Sequence, residues 1–153
     1  MKKKLIKVFE TAVMRTFSEV ILVELTLVNG NKNGDTTYDI SGIAGFLGDT
    51  VCSVALRISE STAGKMRDRL VSERIIQSEN ILDAVCECVS MVAGNAITAF
   101  HDKKIHLSTP QTIRGKDHEI DFRGYKEKAE LHFSSEIGAV CVVVAYGSDS
   151  DNK

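Results

Sequence analysis

The sequence predicts an α+β domain in which an antiparallel sheet of about six strands carries two long helices, residues 4–19 and 79–101, on one face. Three observations lead there. Two segments repeat apolar residues at helical spacing. Several short runs rich in Val, Ile, Leu and Thr are separated by turn residues. These runs follow one another rather than alternating with helices. Consecutive hairpins make an antiparallel sheet, which leaves the helices to one side of it. A chain of 153 residues suffices for one domain that buries roughly two-thirds of the surface its unfolded form exposes. That domain is expected over residues 1–147, with 148–153 a frayed polar tail.

In the first helix Leu5, Val8, Phe9, Ala12, Val13 and Phe17 share a face, with Lys7, Glu10 and Arg15 elsewhere. Val20 to Val28 reads as a strand by composition, and the two Asn-Gly pairs within residues 29–35 read as its hairpin turn. The glycines of that loop could suggest a phosphate cradle, but no Lys-Ser pair and no helix follow them. Thr37 to Phe46 and Val51 to Ile58 form the next hairpin about Gly48-Asp49. Ser59 or Ser61 caps a connecting helix that reaches Leu70 or Val71. After a polar break at 72–78, Ser78 or Asn80 caps the long central helix. Ile105 to Ser108 and Thr112 to Arg114 flank the only proline, Pro110, which marks an edge strand or bulge. Residues 115–125 read as a polar loop. Lys128 to Ser134 and Gly138 to Ala145 close the sheet, the second run continuously apolar and hence a central strand. Helix then strands, a connecting helix, then helix and strands again suggests two duplicated halves.

Composition narrows the function classes. A net charge of −2 gives no electrostatic case for nucleic acid. Met1-Lys2-Lys3-Lys4 resembles the basic start of an export signal, but Lys7 and Glu10 interrupt any apolar stretch behind it. No apolar run approaches the ~20 residues of a membrane span, so the expectation is a cytoplasmic protein with no membrane partner. Cys52, Cys86, Cys88 and Cys141 each lie in apolar runs and read as small core hydrophobes. Cys86 and Cys88 are two apart and face opposite sides of a helix, so they make no metal pair. His101, His106, His118 and His132 show no ligand spacing, and no metal site is expected.

The informative segment is Asp83 to Asn95. Residues three and four apart share a helix face, so Asp83, Glu87, Ser90 and Gly94 form one stripe, with Met91 and Asn95 at its margin. A solvated helix would fill that stripe with Lys and Glu. Here it is polar but nearly bare, a surface against which something can dock.

The pattern Asp83-x3-Glu87-x2-Ser90-Met91-x2-Gly94-Asn95-Ala96 resembles the signature helix of the CheC/CheX chemotaxis phosphatases, CheX above all. Ile40 to Asp49 is similar to that family's first hairpin, and Ile105 to Gly115 to its segment after the long helix. The resemblance implies the CheC/CheX fold and removal of the aspartyl phosphate from a phosphorylated response-regulator receiver of the CheY type. It implies a glutamate that pairs with the receiver's lysine, here Glu87, and three residues on an asparagine that holds the attacking water. The family implies no cofactor of the phosphatase's own, Mg2+ being carried by the receiver, and a possible homodimer through sheet edges. Asp83, Met91, Gly94 and Asn95 would form the contact surface or its support.

The chain departs from the family at the second position, where Ser90 stands instead of Asn, and no Glu-x-x-Asn occurs anywhere in it. Glu10 is followed by Val13, so the first helix offers no duplicate site. Asn95 lies about 12 Å along the axis from Glu87 and is no substitute. A serine hydroxyl still binds water, but it reaches roughly 1 Å less than an amide, and misplacement on that scale lowers rates about a hundredfold. The alternative is a receiver-binding module or scaffold of the same fold that turns nothing over. Glu87 read as a plain solvated residue, and Ser90 and Gly94 read as small residues for helix packing, are the bland counterparts. A small-ligand site under the loop 115–125 has no residues to recommend it.

Overall fold

The computed structural model describes residues 2–28, 37–49, 51–100 and 104–147. Helix α1 (Lys2–Thr16) runs into a π-helical turn (Phe17–Ile21) and a short strand β1 (Thr26–Leu27). The hairpin β2 (Ile40–Gly48) and β3 (Cys52–Ile58) leads to α2 (Glu60–Ser72), and α3 (Ile81–Ile97) continues into one 3-10 turn (Thr98–Phe100). Strands β4 (Ile105–Leu107), β5 (Gln111–Arg114), β6 (Glu127–Ser134) and β7 (Val140–Tyr146) complete the order.

The sheet has seven antiparallel strands rather than about six, in the order β1-β6-β7-β3-β2-β4, with β5 also paired to β2. Exchange β1 with β4, β2 with β6 and β3 with β7, and that order reads the same backwards. That exchange also keeps chain order, matching the strands that follow α1 with strands that follow α3 and leaving β5 without a counterpart. The extra strand arises because β4 and β5 lie in line along one edge of β2, pairing with its residues 46–48 and 40–43 respectively. Between them Ser108, Thr109 and Pro110 interrupt the ladder, and the Ser108 hydroxyl accepts the Gly45 N–H at 2.8 Å. The proline thus sits in an edge interruption, where its missing N–H breaks no ladder bond.

The strand expected over 20–28 is the main correction. Val20 and Ile21 finish the π turn, Leu22 takes a left-handed backbone (φ 63°), and only Thr26 and Leu27 pair, with Ser134 and Phe133. The burial nevertheless alternates: Ile21, Val23 and Leu25 are buried and Leu22, Glu24 and Thr26 are exposed. Composition reported that alternation, but a ladder needs a partner. Strand β6 ends at Ser134, so residues before Thr26 have nothing to pair with. The turn expected at 29–35 and the tail 148–153 fall outside the described residues.

All seven residues of β7 are buried, as a central strand requires. One face of the sheet packs on the helices through a large core that includes Phe9, Phe17, Phe46, Met66, Leu70 and Phe133. The rings of Phe9 and Phe46 meet edge-on at 5.5 Å. The connecting helix α2 joins this layer through Ala63, Met66 and Leu70, and Ser59 caps it, accepting the Thr62 N–H at 3.1 Å. The opposite face carries a smaller cluster of Tyr38, Ala55, Cys141 and Val143, against which Ile120 and Phe122 of the loop 115–125 pack. That loop thereby covers part of the sheet's second face. By length and composition Ile81–Phe100 could pass for a membrane span, contrary to the sequence expectation. Its buried positions instead pack as those of a core helix, between α1 and α2 on the sheet.

Candidate functional site

The site is built on α3. Asn80 caps it, its side-chain oxygen accepting the Leu82 N–H at 2.9 Å, and Ser78 hydrogen-bonds both the Asn80 N–H and the Asp83 carboxylate. Both candidate caps therefore contribute. The buried side of the helix is Ala84, Val85, Cys88, Val89, Val92, Ala93 and Ala96. It rests closely on β2 because Gly42 has no side chain: a Cβ there would lie 3.0 Å from Val85 Cγ1 and from Val89 Cγ1. Backbone contact at this point fixes the height of α3 over the sheet and hence of every residue on its outer side.

That outer side carries the predicted stripe. Asp83 is exposed, and Glu87, Ser90, Met91 and Gly94 are half-exposed. The Glu87 carboxylate makes no hydrogen bond or ion pair with the described residues. It raises the pKa of two neighbouring thiols, in each case after burial, which is the larger cause: half-exposed Cys86, where Asp83 adds a further push, and fully buried Cys88. The Ser90 hydroxyl donates to the Cys86 carbonyl at 2.9 Å. Its proton is committed to its own helix, so what it presents outward is lone pairs, an acceptor for a water O–H. A Cβ on Gly94 would meet nothing within 4 Å among the described residues outside its own turn of helix, so no neighbouring element there calls for a glycine. Met91 packs partly against the core.

Asn95 turns away from the stripe. Its Nδ2 donates to the buried Thr16 Oγ1 at 2.8 Å, and Thr16 in turn donates to the Ala12 carbonyl at 2.8 Å. It therefore clamps α3 to α1. In α1 Glu10 is half-exposed but Val13 is wholly buried, so that helix offers no second acid with a polar partner.

Sequence reading missed a cleft between the two long helices. Lys4, Lys7, Thr11 and Arg15 of α1 line it together with Asn95 and Thr98. Lys7 and Arg15 are loosely paired with Glu10 and Glu19, at 3.8 and 3.2 Å. The spacing of these basic residues along α1 was visible, but which helix they would face was not.

The profile of the family described as chemotaxis phosphatase CheX matches residues 40–134. No curated protein matches the chain in sequence. Among solved structures the chain is similar to the chemotaxis protein CheX from Desulfovibrio desulfuricans, with TM-score 0.79, 21% identity, and 94% of this chain and 99% of that one covered. It is similar to CheX from Vibrio vulnificus, with TM-score 0.76, 24% identity and coverage of 94% and 96%. A third similarity is to the CheX–CheY–BeF3–Mg2+ complex from Borrelia burgdorferi, with TM-score 0.70, 19% identity and coverage of 92% and 96%. At these identities the structural likeness establishes the fold alone.

Proposed function

This chain belongs to the CheX family of chemotaxis phosphatases, and from that premise we propose that it docks on a phosphorylated CheY-like receiver through the open side of α3 and hydrolyses its aspartyl phosphate. The observation that carries this reading is Glu87: a half-exposed carboxylate, without a partner among the described residues, on a helix face kept bare by Ser90 and Gly94. The solved CheX–CheY complex from Borrelia burgdorferi supports the choice of partner.

The chemistry asks little of the phosphatase. Water oxygen attacks phosphorus, the bond to the aspartyl oxygen breaks, and the products are inorganic phosphate and the free carboxylate. Such a transfer depends on positioning and charge stabilisation rather than on a nucleophile of the enzyme. Glu87 would anchor the receiver's lysine. Ser90, its proton tied to the Cys86 carbonyl, would accept a hydrogen from the attacking water and hold it in line. The divalent cation of this reaction is assigned to the receiver. Asp83, Met91 and Gly94 form the contact surface, with Asn95 bracing it from behind. A homodimer would form through the edge made by β4 and β5, where Leu107 and Ile113 are exposed; light scattering on the purified chain tests it.

The same back-bonded, short Ser90 side chain favours a second reading, in which the receiver is bound but not dephosphorylated. One assay separates the two. A receiver is charged with acetyl phosphate, this chain is added, and both complex formation and phosphate release are followed. Catalysis requires faster release that Glu87→Ala abolishes; binding without faster release leaves only the module.

A further inference from the structure

A group of side chains of metal-ligating type lies on the sheet face opposite α3 and plays no part in the function above. Strands β6 and β7 are in register at His132 and Cys141, and Glu130, two residues before His132, projects from the same face. A ring nitrogen of His132, the Cys141 sulfur and a Glu130 carboxylate oxygen all lie within 4.8 Å of one another. His132 and Cys141 are buried, at 8% and 2% exposure, while Glu130 is exposed at the rim. The imidazole is incompletely used. Its Nε2 hydrogen-bonds Glu130 Oε2 at 3.2 Å, and its Nδ1 is buried with no hydrogen-bond partner among the described residues.

We propose that Glu130, His132 and Cys141 bind a divalent transition cation of the zinc class. Thiolate and imidazole together select a borderline ion over Mg2+ or Ca2+, and three protein ligands leave one tetrahedral position for water. The spacing suits such an ion. Bonds of roughly 2.0–2.2 Å to nitrogen and oxygen set those two atoms a little over 3 Å apart in a tetrahedron, and Nε2 and Oε2 already stand at 3.2 Å. The sulfur comes from the neighbouring strand, so two arms of one rigid hairpin supply all three corners. Spacing along the chain could not reveal this, because the ligands meet only through strand register.

The test uses the full chain after chelator treatment. Zn2+ retained through gel filtration is counted, and Co2+ is added as a spectroscopic probe. One Zn2+ per chain is expected, with a near-ultraviolet thiolate-to-cobalt absorption that Cys141→Ser removes and Cys86→Ser retains. Glu130→Gln, a surface change that leaves the core intact, weakens Zn2+ binding by about tenfold or more. No retained Zn2+, an absorption that follows Cys86 instead of Cys141, or Glu130→Gln binding like the parent chain would each overturn the site.

Discussion

Asn95 of α3 donates to Thr16 at the end of α1 across 2.8 Å, and Thr16 is completely buried. One amide thus ties together the two long helices. Asn95→Ala is expected to lower stability by about 1 kcal/mol, the usual contribution of one internal hydrogen bond. Combining it with Thr16→Val should cost clearly less than the sum of the single changes in urea denaturation. Additive losses would mean that the bond is not formed.

Two glycines make opposite predictions from one substitution. Gly42→Ala forces a methyl group against Val85 and Val89 at 3.0 Å, so it is expected to destabilise by about 1–3 kcal/mol and to displace α3. Gly94→Ala meets open space and replaces a poor helix former with the best one, so it should stabilise by up to about 1 kcal/mol. If the stripe docks on the receiver, Gly94→Ala also weakens the complex while the free protein gains stability. Denaturation together with a receiver titration reads both effects.

At the site itself, charge and reach separate. Glu87→Gln keeps shape and removes charge, so it should weaken receiver binding by about tenfold, roughly 1.4 kcal/mol, with less salt dependence than the parent. Ser90→Asn restores the amide reach and should raise the rate of phosphate release by up to about a hundredfold with little change in affinity. An unchanged rate after that swap counts against the placement of the water.

Glu87 has a signature that needs no receiver. Burial first, then Glu87 and Asp83, hold the Cys86 thiol above its ordinary pKa. Negative charge nearby disfavours the thiolate, so removing it lowers the pKa and raises the reactive fraction at fixed pH. Glu87→Gln should therefore speed alkylation of Cys86 at pH 8, followed site by site with mass spectrometry. Cys52, pushed up to about 12 by burial, should remain unmodified in both proteins.

The helices, their caps, the central strand and the stripe of Asp83, Glu87, Ser90 and Gly94 were all legible in the chain, because each is a local matter of periodicity and short-range hydrogen bonding. The strand expected at 20–28 was not, since its alternation of buried and exposed residues is real but pairing depends on where β6 ends. The extra strand likewise follows from β4 and β5 sharing one edge of β2.

Sequence alone determined which residues face outward on α3 and which acids stand among them, because a helix sets side-chain direction from residue to residue. Only the tertiary structure decided that Asn95 braces α1, that Gly42 sets the height of the site, and that His132 faces Cys141. Those relations join segments far apart in the chain, and it is packing and strand register, not local spacing, that bring them together.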